Sequence, residues 1–227
     1  MEPDGERGLV GPAPRQILTD SVYDAVKALI MDDAVTPGAK LNMDGLARDL
    51  AVSQTPIREA LARLESERLV VKEPLRGYTS APLLSRTAFE DLYEFRLHLE
   101  PWAAGHAARL VDEESRAELA TELATCAVQP PPGGGYADYK PLASHDARFH
   151  DLVMRLAGNR TARAALADTH CHLHIFRLFY TSGTGAGVHS EHAKVVDAIS
   201  AGDPAAATSA MREHLEAARD RLRPHVR

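Results

Sequence analysis

The sequence predicts a mainly α chain in two parts, a short N-terminal helical unit closed by a β-hairpin and a longer, all-helical unit behind it. Three observations carry this. Apolar residues recur at helical spacing through most of the chain. Residues 69–81 break that rhythm with two short β-prone runs around Pro74-Leu75-Arg76-Gly77. All eleven histidines fall between His98 and His225, so the two parts differ in chemistry as well as in pattern. With 227 residues, two ordinary domains are expected, at 15–82 and 83–227, behind an arm over 1–14.

The elements follow in order. Leu18, Val22, Ala25 and Leu29 give a first helix over 15–33, stopped by Thr36-Pro37-Gly38. Leu46, Ala47 and Leu50 share a face of a short second helix over 43–50. After a tight turn at Ala51-Val52, a third helix opens at Ser53 or Thr55, either of which can cap it, with Pro56 in its first turn. Ile57, Leu61 and Leu64 form its apolar stripe, and strands at 69–72 and 78–81 follow. Beyond Leu84, helices are expected over 84–111, 113–127, 137–157, 160–180, 188–201 and 204–223, with Gly-rich loops at 129–135 and 182–187.

Composition narrows the classes. No run of about 18 apolar residues exists to span a bilayer. Glu2, Asp4 and Glu6 stand where a secretory signal would be basic and then apolar, so the N-terminus reads as a disordered arm. Cys126 and Cys171 lack paired spacing, which fits inert core thiols in a reduced, cytoplasmic setting. The net charge of −6 does not advertise nucleic-acid binding. Residues 1–80 hold 10 Lys and Arg against 13 Asp and Glu, so any DNA contact must rest on where charges sit.

Two short helices across a tight turn, followed by a two-stranded wing, compose a winged helix-turn-helix. Its second helix would enter the major groove of double-stranded operator DNA by the N-terminal end. That end offers Ser53, Gln54, Thr55 and Arg58, the hydroxyls, amide and guanidinium that reach phosphates and base edges. Arg76 and Gly77 at the wing tip are placed to reach a phosphate or the minor groove. A small helical domain with an ordinary polar surface would show the same pattern.

The stretch PGAKLNMDGLARDLAVSQTPIREALARLESERLV resembles the signature of the GntR family of regulators, over about 17–81 and most specifically in LAVSQTPIREALARL. The resemblance implies that Ser53, Gln54, Thr55 and Arg58 occupy DNA-contact positions and Gly77 the wing. It implies a repressor that works as a homodimer held by its C-terminal bundle. Gln54 stands where many members have Arg, which alters operator preference. Ala51 and Arg68 stand at turn positions where the family often has Gly. A positive φ there strains a residue with a Cβ, so both turns are expected to adjust.

An all-helical unit behind such a head resembles the FadR-like subfamily, with an FCD effector domain built as a bundle around a ligand cavity. Many members hold a divalent metal there with one Asp and three His. The matching residues are Asp146 and His150 in HDARFH, His192 in SEHAKVV and His214 in REHLEAA. The residues are compatible with this. Asp146 and His150 are i and i+4, on one helix face, and antiparallel neighbours can bring the other two alongside. Such a set suits Zn, Ni, Fe or Mn. Spacing alone equally fits dispersed polar residues. His170, His172 and His174 alternate, so that His170 and His174 share a face and His172 points away; one or two are expected to line the cavity. His145 is expected to point elsewhere, and His98, His106, His189 and His225 to be surface or packing residues.

Arg96 matches an Arg that the resembling proteins often turn toward the cavity, and Arg177 is a second candidate. Either suits a small carboxylate effector through a bidentate pair. The alternative for Arg96 is an ion pair with Glu100 at i+4. Trp102 is expected to be buried at a helix contact. The function this implies is a ligand-responsive regulator, not an enzyme, because no general base or nucleophile motif accompanies the histidines. A metal-dependent hydrolase and a sensor for which the metal is the signal are the alternatives.

Overall fold

The computed structural model describes residues 14–126, 134–179 and 187–226. The arm expected over 1–14 lies outside them except for Pro14, and so do the loops expected at 129–135 and 182–187, apart from Gly134, Gly135 and Gly187. The chain divides into two compact units, one ending at Ala81 and the other beginning at Pro82.

In the first unit, helices α1 (Pro14–Met31), α2 (Met43–Asp49) and α3 (Gln54–Ser66) pack on a small sheet of β1 (Lys40–Leu41), β2 (Val70–Glu73) and β3 (Gly77–Ser80). The strands run in the order β1-β3-β2, all antiparallel, with Leu41 opposite Tyr78 and Val71 opposite Thr79. The wing therefore has a third strand beyond the two expected. Its two residues are too few to show a period.

The α3 stripe of Ile57, Leu61 and Leu64 is buried as expected, together with Leu69. The α1 stripe is corrected: of Leu18, Val22, Ala25 and Leu29 only Val22 is buried, Leu18 being exposed and Ala25 and Leu29 half-buried, and the core face is Val22, Val26 and Ile30. Asn42 caps α2 by accepting from the backbone N–H of Asp44 and Gly45 at 3.1 and 3.2 Å. Ser53 flanks α3 as its N-cap, but its side chain makes no capping hydrogen bond.

The turns at Ala51 and Arg68 do not adjust as expected. Both residues keep the left-handed conformation, with φ of 53° and 57°. The reason is what those turns close. After α2, Val52 N–H reaches Ala47 O at 2.9 Å, and after α3, Leu69 N–H reaches Leu64 O at 3.0 Å. These are the six-to-one closures of a helix C-terminus, which require a left-handed residue whatever its side chain.

The second unit, among described residues, is entirely helical: α4 (Arg86–Leu110), α5 (Glu113–Ala124), α6 (Tyr136–Leu156), α7 (Arg160–Ala167), α8 (Cys171–Phe179), α9 (Val188–Ser200) and α10 (Pro204–Leu222). The single helix expected over 160–180 is two helices. His170, at φ 48°, breaks it, and Thr169 Oγ1 satisfies the ends by donating to Leu166 O at 2.6 Å and accepting from Cys171 N–H at 3.2 Å.

α10 packs along α4 and α9, and α6 lies against α4, α5, α7 and α8. α4 meets α10 closely at Gly105, which belongs to a buried run of small residues with Ala103, Ala104, Ala107 and Ala108. A Cβ on Gly105 would lie 2.4 Å from Thr208 Oγ1 and 3.1 Å from the Pro204 carbonyl. Trp102 corrects the expectation of burial: it is 37% exposed, its ring 4.6 Å from that of His106.

Candidate metal centre and nucleic-acid interface

Four side chains from three helices converge inside the second unit. Asp146 and His150 project from α6, His192 from α9 and His214 from α10, and each offers a ligand atom within 4.8 Å of the others. All four are buried. His150 Nε2 lies 3.3 Å from His214 Nε2 and 3.7 Å from Asp146 Oδ1, and His192 Nε2 lies 3.6 Å from the same carboxylate oxygen.

Each imidazole is held from behind by its other nitrogen. His150 Nδ1 is hydrogen-bonded to Glu100 Oε2, His214 Nδ1 to Glu191 Oε2 at 2.9 Å, and His192 Nδ1 to His145 Nε2 at 2.9 Å. His172 Nδ1 holds Asp146 through Oδ2 at 2.7 Å, leaving Oδ1 for the interior. Outer partners of this kind orient metal-ligating groups and set their tautomers.

The decisive detail is His192 Nε2. It is buried and has no hydrogen-bond partner among the described residues. A buried polar atom without a partner is costly. Here it belongs to a neutral ring, since burial first, and His214 next, hold the His192 pKa well below its ordinary value. A divalent cation bound among these atoms would satisfy that lone pair, so the residues fit a metal.

The surrounding charges have identifiable causes. Burial opposes ionisation of Asp146, but His150 and His172 override it and hold the carboxylate well below its usual range. Burial lowers His145 and His214, with His214 partly supported by Glu191. His172 is pushed up to about 10: burial opposes its charge, and Cys171 and Asp146 outweigh that. Cys171 in turn is drawn down to about 7, burial notwithstanding, by His172 and Arg96.

Two outcomes correct the sequence reading. His145 does not point elsewhere; it is fully buried against His192. His172 does not point away from the site; the break before α8 turns it onto Asp146. Adjacency was the missed signal. Glu191 precedes His192 and His145 precedes Asp146 in sequence, and because α6 packs against α4, α5, α7 and α8, both His145 and Asp146 are buried on it.

A small cavity of about 30 Å³ opens beside the cluster, lined by Asp146, His214, Tyr93, Arg96 and Arg221 among apolar side chains. Arg96 is committed to Glu100, its Nε donating to Oε1 at 2.6 Å, so the i+4 pair exists, but it is buried rather than superficial. Arg221 grips both oxygens of Glu191, Nη2 at 2.9 Å, and is partly exposed. Tyr93 is buried, and its hydroxyl has no hydrogen-bond partner among the described residues. Arg177 is buried with Nη1 3.4 Å from Pro82 O and lies outside the cavity lining.

In the first unit, Ser53, Gln54, Thr55 and Arg58 are all exposed at the N-terminal end of α3. Gln54 Nε2 donates to Asp44 Oδ1 of α2, which ties the two helices of the pair together at that end. Arg76 is exposed at the wing tip, 3.8 Å from Glu73, and Gly77 adopts φ +94° at the start of β3.

A winged helix-turn-helix in one unit and a helical bundle around a buried histidine–carboxylate cluster in the other define a two-part, DNA-binding regulator. The chain belongs to the gntR family of bacterial regulatory proteins, whose model matches residues 18–79, and carries an FCD domain over residues 91–217. A Streptomyces ambofaciens protein described as an uncharacterized HTH-type transcriptional regulator in an unstable DNA locus is 29% identical over 210 residues, 90% of this chain and 86% of its own. The Escherichia coli (strain K12) HTH-type transcriptional repressor GlaR is 29% identical over 211 residues, 85% of this chain and 90% of its own. Among solved structures, a putative GntR transcriptional regulator from Rhodococcus sp. RHA1 has the same fold, with a TM-score of 0.64 at 22% identity over 92% of this chain and 99% of that one. The family and the relatives are transcriptional regulators, so the chain is a regulator and the hydrolase alternative falls away. No helix among the described residues is long and apolar enough to cross a membrane.

Proposed function

We propose that the protein is a ligand-responsive transcriptional repressor, cytoplasmic and homodimeric, whose FCD domain holds one divalent transition metal and takes a small carboxylate effector. Asp146, His150, His192 and His214 hold the metal, which is Zn, Ni, Fe or Mn by the mixture of imidazole and carboxylate donors. The bare, buried Nε2 of His192 carries this reading. When bound, the cation supplies positive charge and open coordination positions for an anionic oxygen.

The cavity chemistry supports a carboxylate. Arg221 is the guanidinium free enough to exchange partners, because it is partly exposed and its anchor, Glu191, retains His214 as a second partner. Tyr93 adds an available hydroxyl. Arg96 contributes its charge from within its pair with Glu100, and Arg177 takes no part. The cavity suits an ion with one or two small groups, so an effector larger than that requires the bundle to open.

Because the ligand residues come from three helices, occupancy of the site biases how α6, α9 and α10 pack, and through a dimer, how two DNA-reading heads are spaced. By linkage, DNA and effector then weaken each other equally. Dimerisation through the bundle is supported by the exposed apolar residues Phe95, Trp102 and Leu110 along α4. Two-fold operators match such a dimer. Ser53, Gln54, Thr55, Arg58, Arg76 and Gly77 make the DNA contacts, and repression is supported by similarity to a relative named a repressor.

The test is a mobility-shift titration on duplexes selected by the protein from random sequence, with metal-loaded and chelator-treated protein, adding acetate, lactate, succinate or citrate. Release from DNA by a carboxylate only when metal is present supports the proposal. Release by metal alone, with no carboxylate effect, favours the metal-sensor reading instead.

A further inference from the structure

His150 and His214 are each backed by a carboxylate, Glu100 and Glu191, which can only accept a hydrogen bond and so fixes the imidazole proton on Nδ1. His192 is different. Its outer partner is His145, an imidazole that can donate or accept at the same atom. Whether His192 presents a lone pair or an N–H to the site therefore depends on what holds His145.

That partner is Glu122 of α5. His145 Nδ1 lies 3.0 Å from Glu122 Oε1. Thr125 Oγ1 is also near, at 3.2 Å, but it donates to Glu122, and it accepts from Arg148 Nη2 at 2.9 Å. Arg148 Nε donates to Glu122 Oε2 at 3.0 Å, so the carboxylate is ionised against a guanidinium. The proton inventory now closes. An ionised carboxylate accepts, so the proton of a neutral His145 sits on Nδ1. His145 Nε2 is then bare and accepts, so the proton of a neutral His192 sits on Nδ1 also. His192 Nε2 is then left without a proton; it has no hydrogen-bond partner among the described residues, with Asp146 Oδ1 3.6 Å away.

We infer that Glu122 and His145 are positioning residues, a relay from the edge of α5 that fixes the His192 tautomer and aims its Nε2 lone pair into the metal site. The inference rests on the metal reading above for its purpose, but the tautomer itself exists without metal. It also gives a buried histidine next to Asp146 a role in a packed helix: a hydrophobic residue there would leave His192 free to turn its N–H inward.

Long-range ¹H–¹⁵N spectra of the metal-free full chain test this, with His192→Gln used for assignment. The expected result is a proton on Nδ1 of both His145 and His192. Glu122→Ala, at a partly exposed position, should move His192 population to the Nε2–H form and weaken nickel binding about 10–100-fold in a chelator competition. His145→Phe should do the same, while His145→Gln, whose amide accepts from His192 and donates to Glu122, should bind nickel within a few-fold of wild type. A wild-type His192 protonated on Nε2 overturns the relay, as does a Glu122→Ala protein with unchanged tautomers and nickel affinity. If the wild type takes no nickel, zinc or manganese, the metal reading fails, and the tautomer spectrum still decides the relay on its own.

Discussion

Replacing Arg96 by methionine removes the guanidinium that sits between Glu100 and His150. Arg96 is 2% exposed and Glu100 1%, with Nε donating to Oε1 at 2.6 Å. The carboxylate left behind is out of water, with only His150 on its other oxygen. Breaking a buried pair in this way costs about 3–5 kcal/mol, and methionine fills most of the vacated stem, so cavity formation adds little. Removing both charges, in Arg96→Met/Glu100→Leu, leaves only the Nδ1 of His150 unsatisfied, at about 1–3 kcal/mol. The double variant should therefore be more stable than the single one. The pH dependence has a definite sign. Burial pushes the Glu100 pKa up, and Arg96 with His150 holds it below the ordinary range. Without Arg96 the carboxyl rises above its unfolded value, the folded state binds the extra proton, and relative stability increases as pH falls from 7 toward 5. Urea unfolding of metal-free protein measures this, read by fluorescence of Trp102, the only tryptophan and itself on α4. A cost below about 1 kcal/mol for Arg96→Met, or a double variant weaker than the single, would refute the reasoning.

Four further outcomes are expected. Arg58→Ala should weaken operator binding by about 1–3 kcal/mol in a mobility-shift assay while leaving thermal stability unchanged, since the side chain is exposed. Gly105→Ala should destabilise the second unit by about 1–3 kcal/mol of overpacking, partly offset by roughly 1 kcal/mol of helix propensity, and Thr208→Ala should relieve it in calorimetry. Ala51→Gly and Arg68→Gly should each raise stability by up to about 1 kcal/mol, because both residues occupy the left-handed region. The metal-free second unit should be most stable near pH 6.5. His145, His192 and His214 are depressed, so their contribution is lost as pH falls below the unfolded histidine value. His150 and His172 are raised, so theirs is lost as pH climbs above it, for His172 toward about 10; thermal melts from pH 5 to 10 check both limbs.

Long amphipathic segments were readable because burial repeats every 3.6 residues: the stripe of Ile57, Leu61 and Leu64 is the buried face of α3. The break between α7 and α8 was not, because it contains neither Gly nor Pro and rests on the Thr169 hydroxyl and a left-handed His170. β1 was hidden by its length, two residues that exist as a strand only because β3 is there to pair with. The four metal-site candidates came from a family resemblance supported by one i, i+4 pair. Their outer partners were invisible to spacing rules. Glu100, Glu122, Glu191, His145 and His172 reach the site from five positions on five helices or flanking residues, and only packing decides that they meet.

Stoichiometry tests most directly whether Asp146, His150, His192 and His214 form a metal site. Elemental analysis of freshly purified wild-type protein and of His192→Ala, with the wild type also reloaded after chelation, should give one transition-metal ion per wild-type chain and markedly less in the variant. A wild type with no stoichiometric metal, and no thermal shift on adding Zn, Ni or Mn, would contradict the account and leave only a polar cavity.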